Sequence, residues 1–211
     1  MIRSHPLLGM LLAGVLLVGG CASPRTSNYY VLVALPPSTA PAGDAAKGPA
    51  VVLSPISLPG YLDRPQIVSS QDPGQLELAG RDRWSEDLDE NATRVLADDL
   101  AERLPSERVG VLRPDSAATE ATRLAVEVSR FERKADGSVS LVARWSLRRH
   151  GQAEAYLVRR SSIRTIAETD DTAGTVLAMS RALAELADEI AKALQPGHAS
   201  ATIPSTSRSA G

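Results

Sequence analysis

Asp136-Gly137-Ser138-Val139-Ser140-Leu141-Val142-Ala143-Arg144-Trp145-Ser146-Leu147-Arg148 is the stretch that decides the fold. Val139, Leu141, Ala143, Trp145 and Leu147 fall on one side of an extended chain, and Ser140, Val142, Arg144, Ser146 and Arg148 fall on the other. Successive side chains of a strand point to opposite faces, so this alternation predicts an antiparallel strand covered on one side. Asp136-Gly137 predicts the hairpin turn before it, of type I′, in which both central residues take positive φ. Upstream, Leu124, Val126 and Val128 alternate with polar residues as far as Phe131. Downstream, His150-Gly151-Gln152 turns into a third strand over about residues 155–165, so the region reads as a three-strand meander.

Helical periodicity flanks the meander on both sides. Leu88, Ala92, Val95, Leu96, Leu100 and Leu104 form one apolar stripe, which predicts a helix over 85–104. Glu86, Asp87, Asp89 and Glu90 crowd its first turns, where the helix dipole favours negative charge; Arg103 sits near its end and Pro105 stops it. Val176, Met179, Leu183, Leu186, Ile190 and Leu194 predict a second helix over 172–194, closed by Gln195-Pro196-Gly197. Asp170-Asp171 reads as its N-terminal capping charge. Farther upstream, residues 29–35 are dense in β-formers and read as a strand. Ala50-Val51-Val52-Leu53 continues toward Ser57 as another, with Pro55 marking an edge or bulge. Short strands are expected at 66–69 and 76–78, around the turn Asp72-Pro73-Gly74. The expected fold is α+β: two layers, a mostly antiparallel sheet with two amphipathic helices packed on one face.

The amino-terminal end has a different character. Arg3, an apolar run from Leu7 to Val18, Gly19 and Gly20 precede Cys21, the only cysteine in the chain. A positive start, a short apolar core and small residues make the layout of a secretory leader. The run is short for a membrane-spanning helix. Residues 1–20 are therefore read as a signal peptide and 21–27 as a tether. The resemblance of the run ending in Cys21 to a bacterial lipobox implies a lipoprotein signal peptide and a lipidated tether. Residues 28–195 are read as one domain, large enough for a real core. Residues 196–211, small, polar and punctuated by Pro, are read as a disordered tail. Pro36 to Pro49 reads as a flexible Pro/Ala/Gly loop.

Composition excludes several classes of function. Without the leader the net charge is about −3, no footprint for nucleic acid, whose binders carry a basic excess. With Cys21 acylated, no thiol remains for a disulfide, a nucleophile or a zinc site. Outside the leader there are two histidines, His198 in the tail and His150 at a hairpin turn, and no Gly-x-Ser-x-Gly elbow accompanies any serine. No phosphate-cradling glycine loop or metal-ligand cluster is legible. No catalytic residue, metal site or cofactor is expected, and the chain reads as a non-enzyme.

Three local features stand out. Leu58-Pro59-Gly60-Tyr61-Leu62-Asp63-Arg64-Pro65-Gln66-Ile67-Val68 is a segment stiffened by two prolines that groups Tyr, Asp and Arg. Arg83-Trp84-Ser85-Glu86-Asp87-Leu88 puts an amphipathic ring just before a helix. Together they form either a tied-down loop or a partner-binding surface. In the first, Asp63 pairs with Arg64 or Arg83 and Trp84 fills the gap beneath. The second follows from Trp, Tyr and Arg dominating interface hot spots. Third, Arg144, Arg148, Arg149, Arg159, Arg160 and Arg164 crowd two adjacent strands. They form either a solvated face or a site for an acidic partner or lipid phosphates, which Arg forks fit well.

The run ending in Cys21 resembles a bacterial lipobox. With Tyr29-Tyr30-Val31-Leu32, Leu58-Pro59-x-Tyr61-Leu62-Asp63-Arg64-Pro65-Gln66-Ile67-Val68 and Arg83-Trp84-x-Glu86-x-Leu88, it resembles the PqiC (YmbA-like) ABC-type transport auxiliary lipoproteins over about residues 15–195. The resemblance implies lipidation of Cys21, and Ala22 rather than Asp at the next position implies export to the outer membrane, facing the periplasm. It implies a non-enzymatic subunit of an MCE-type ABC transport system that moves phospholipid or other hydrophobic molecules between inner and outer membranes. The implied partner is the periplasmic MCE-domain protein, with homo-oligomerisation a further possibility. Tyr61, Leu62, Asp63, Arg64, Gln66, Arg83 and Trp84 are the expected partner-binding residues. A generic envelope scaffold lipoprotein assisting outer-membrane assembly fits the same residues.

Overall fold

The computed structural model describes residues 26–37, 50–71, 74–104, 109–111 and 121–195. The leader, Cys21, the tail and most of the Pro36 to Pro49 loop lie outside the described residues. Within them, β6 (Thr122–Lys134), β7 (Ser138–Arg148) and β8 (Leu157–Ile166) form the meander, with both ladders antiparallel. Val139, Leu141, Ala143, Trp145 and Leu147 are each at most 1% exposed, so the alternation does mark the core face.

The hairpin turn differs from expectation. It has three residues, Ala135-Asp136-Gly137, and only Gly137 takes a positive φ (+78°), so it is not type I′. The Gly137 amide donates to the Lys134 carbonyl at 3.0 Å. Asp136 accepts from the amide and hydroxyl of Ser138 instead, an Asx-type local bond that keeps its own backbone in the ordinary region.

The helices are α1 (Leu88–Arg103) and α2 (Thr172–Leu194). Asp171 caps α2 by accepting from the Gly174 amide at 2.8 Å. α1 begins three residues later than its charge pattern suggested. Trp84 ends strand β4 (Leu76–Trp84), and the Ser85 amide is used by the Tyr30 carbonyl. α2 covers the inner face of the meander: Thr165 donates to the Ala178 carbonyl, and Trp145 Nε1 donates to Ser161, which donates to Glu189.

The α+β class stands, but the sheet is mixed rather than mostly antiparallel. The remaining strands are β1 (Asn28–Tyr30), β2 (Val51–Leu53), β3 (Gln66–Ser70) and β5 (Val109–Val111). Four of the seven ladders, β1–β4, β2–β5, β2–β6 and β3–β6, are parallel. Parallel partners need long crossovers, and a three-residue strand carries no sign of its direction, so local alternation could not reveal this. β2 and β3 lie on the same edge of β6, opposite β7. β2 pairs with Thr122, Arg123 and Leu124, and β3 with Arg133 and Lys134. Ser57 bridges Glu127 between them. From Ser57 to Ser69 the chain advances twelve residues while β6 advances six, from Glu127 to Arg133. The excess leaves the sheet as a loop over 58–65.

The strand expected over 29–35 is also corrected: β1 stops at Tyr30. Beyond it the backbone is stitched by helix side chains. The amides of Leu32, Val33 and Leu35 donate to Asn91 Oδ1, Ser180 Oγ and Asp99 Oδ1 at 2.7, 3.1 and 2.8 Å. Backbone donors left without a ladder must find other acceptors, and both helices supply them here.

Candidate functional site

The loop over 58–65 is built by short local bonds and then pinned at three points. The Leu62 amide donates to the Pro59 carbonyl and the Arg64 amide to the Leu62 carbonyl, both at 2.9 Å. Leu62 is 2% exposed and enters the core. The Tyr61 ring is half-buried and its hydroxyl donates to Glu132 on β6. The Pro65 carbonyl accepts from the Trp84 amide at 2.8 Å, and Gln66 stands opposite Arg83 in the β3–β4 ladder. Trp84 is 5% exposed and belongs to the core.

Glu132 is the residue that sequence reasoning missed. Only 3% exposed, it accepts from Tyr61, meets Lys134 Nζ at 3.2 Å and lies 3.5 Å from Arg130 Nε. A buried carboxylate must be paired and hydrogen-bonded to be tolerated. Burial, and the negative Glu132 beside it, hold the Tyr61 phenol well above its ordinary range. The available signal was a lone Glu between Arg130 and Arg133-Lys134 on the outward parity of β6.

Of the seven residues singled out beforehand, Leu62 and Trp84 are inside and Tyr61 is tied down. Asp63 is exposed; Arg64, Gln66 and Arg83 are partly exposed. The expected pairing of Asp63 with Arg64 or Arg83 does not occur. Among the described residues none of these three charges has an ion-pair partner, and Arg64 Nε is buried with no acceptor. Beside the loop lies a cleft of about 260 Å³ lined by Ile56, Leu58, Leu62, Leu88, Asp63 and Asp89. It is apolar at its base with two carboxylates in its wall. A larger crevice of about 380 Å³ opens between β3, β4 and the start of α2. Its guanidinium, Arg133, is engaged by the Asp170 side chain at 2.8 Å and the Asp170 carbonyl at 2.7 Å.

Asp171 caps α2, as the sequence suggested, whereas Asp170 engages Arg133 instead. His150 is exposed. The arginines Arg144, Arg148, Arg149, Arg159, Arg160 and Arg164 are all exposed; Arg164 pairs with Asp136, and Arg149 lies 4.4 Å from the Tyr156 ring centroid. No helix among the described residues is long and apolar enough to cross a membrane.

The α+β fold is shared with known proteins. The chain belongs to the family of ABC-type transport auxiliary lipoprotein components, whose profile matches residues 30–191. Its membership makes it an auxiliary component of an ABC-type transport system, of a lipoprotein and hence membrane-associated type. Among solved structures, it is similar to an uncharacterised protein at 21% identity and a TM-score of 0.66, covering 81% of this chain and 100% of that one. It is also similar to a Xanthomonas campestris protein of the DUF330 family, at 17% identity and a TM-score of 0.63, covering 79% and 95%. At these identities the likeness is one of fold. No curated protein matches the chain.

Proposed function

We propose that this protein is an outer-membrane lipoprotein, acylated at Cys21 and facing the periplasm. It docks the MCE component of an inner-membrane ABC transport system that moves phospholipid or other hydrophobic molecules. Docking uses the loop over 58–65 and the adjoining Gln66 and Arg83, and the protein itself performs no catalysis. One observation carries this reading. On a loop fixed at Tyr61, Leu62 and Pro65, the charges of Asp63 and Arg64, with neighbouring Arg83, have no partner within the described residues. Rigid presentation of unpaired Arg is what an interface hot spot requires, since little entropy is lost when it is engaged. Leu62 and Trp84 serve the same surface from beneath, as its packing.

The test is recovery of partners from crosslinked envelopes by mass spectrometry, with the lipidated chain as bait. An MCE-domain protein should be recovered, and lost with Asp63→Ala or Arg64→Ala in variants whose thermal melting is unchanged. Recovery of β-barrel assembly components without any MCE protein would replace this reading with that of an envelope scaffold.

A further inference from the structure

Apart from Glu132, which Tyr61 engages, the loop leaves the outward face of the meander unused. By the register, Arg144 stands directly opposite Arg160, and Arg123 directly opposite Arg148. All four lie on the parity that faces away from the core. Among the described residues none of them has a hydrogen bond or an ion pair. Like charges opposed across strands destabilise a sheet. Two such pairs on one face are therefore a standing cost that the fold offsets only at Arg144. Among the described residues, Glu127, opposite Arg144, is the only acidic residue between them on this face.

We infer that this face is a docking surface for anionic phospholipid headgroups. The charges form a two-dimensional patch: Arg123, Arg144, Arg148 and Arg160 span three strands, roughly 10 Å across and about 14 Å along. An acidic peptide would offer one line of carboxylates, whereas a bilayer surface offers a plane of phosphates. Guanidinium forks bind phosphate bidentately. Between the arginines runs a shallow groove of about 520 Å³ lined by Ala125, Ser146, Val158 and Pro55, apolar enough to lie against the glycerol level of a leaflet. Tyr156, under the Arg149 guanidinium, and Val158, 47% exposed, add an amphipathic rim. The membrane as the source of phosphate rests on the proposed anchor. From Cys21 to Thr26 the chain can span at most about 18 Å, which keeps the domain beside the bilayer.

The test uses the chain from residue 21 onward, without the apolar leader and carrying Cys21→Ala so that it cannot be acylated, sedimented with vesicles of phosphatidylcholine alone or mixed with phosphatidylglycerol. Binding should rise with phosphatidylglycerol and fall with salt. Arg144→Gln, Arg148→Gln and Arg160→Gln together should lower the phosphatidylglycerol-dependent partition by about 100-fold. The same variant should melt no lower than its parent, because opposed charges have been removed. Binding that ignores phosphatidylglycerol, or that the three substitutions leave unchanged, overturns the inference. So does equal retention on immobilised polyglutamate, which would make this an acidic-peptide face. Light scattering that finds the parent associated without lipid and the variant monomeric would make it an interface between copies, and overturns it too. Acylation of wild-type Cys21, read from the mass of the chain recovered from cells, is scored separately. Its absence removes the anchor while leaving the vesicle result to stand or fall alone.

Discussion

The Tyr61 hydroxyl donates to the buried carboxylate of Glu132, and this bond ties the 58–65 loop to the strand that carries both arms of the sheet. β6 receives β2 near one end and β3 near the other, so the loop between those arms is anchored at the fork itself. Tyr61→Phe should leave Glu132 with Lys134 and Arg130 but one donor short. Hydrogen bonds to charged groups contribute about 1.5–3 kcal/mol, so the denaturation midpoint should fall by that order while the fold is retained. An unchanged midpoint would show that the bond contributes nothing in solution.

Arg103 joins three parts of the core. Its Nε donates to Asp188 on α2 at 2.6 Å, and its Nη1 to the carbonyls of Asp99 and Leu35 at 2.9 and 3.1 Å. Both it and Asp99 are almost wholly inside. Arg103→Ala would strand a buried carboxylate, and loss of one partner of a buried pair costs about 3–5 kcal/mol. Arg103→Lys should recover only part of this, since a single ammonium cannot serve acceptors on three elements at once. Chemical denaturation of the two variants separates charge from geometry.

Burial pushes the Asp99 carboxyl up to about 6, against the opposing pull of the Leu35 amide and Arg103, with Asp188 and Asp98 adding to the rise. Its Oδ2 has no partner. A carboxyl whose folded pKa is raised binds its proton more tightly in the native state. Its contribution to stability is full below the unfolded value near 4 and is lost as pH rises to about 6. Unfolding free energy of the wild type should therefore decline over that window relative to Asp99→Asn, which keeps the acceptor for Leu35, and run parallel to it above. Parallel curves throughout would show that Asp99 does not titrate there.

Gly174 lies in the first turn of α2, where alanine is ordinarily stabilising by up to about 1 kcal/mol. Here the sign reverses. A Cβ would stand 2.2 Å from Thr169 Oγ1 and 2.6 Å from the Thr169 carbonyl oxygen. The hydroxyl can rotate away but the carbonyl cannot. Gly174→Ala should lower stability by about 1–3 kcal/mol, as overpacking does, and Gly174→Ala with Thr169→Ala should restore only a minor part. A gain in melting temperature for the single variant would contradict this.

Local periodicity carried the parts of the fold that are local. The bounds of α2 and the inward set of β7 were both readable, because each depends on side chains a few residues apart. What was lost is non-local. Asn28-Tyr29-Tyr30 and Val51-Val52-Leu53 are too short to show a partner or a direction, so their parallel pairing was invisible. Residues 31–35 have β-forming side chains, yet their amides go to Asn91, Ser180 and Asp99. A search for apolar stripes passes over polar residues buried between helix and chain. The Asp136-Gly137 turn was found but its type was not, because Ser138 offers Asp136 a bond that outweighs the dipeptide's preference. At the loop, the motif did not distinguish its buried supports, Leu62 and Trp84, from the charges it exposes.

The stitched segment over 31–35 has a mechanical consequence. A pull on the chain from before Thr26 meets first the three-residue β1–β4 ladder, then side-chain bonds from two different helices. β1 lies alongside β4 in the same direction, so traction along its axis loads these bonds in shear, several at once. The entry of the chain is thus its strain relief: force is shared between α1 and α2 before it can reach the strand fork and the loop held there.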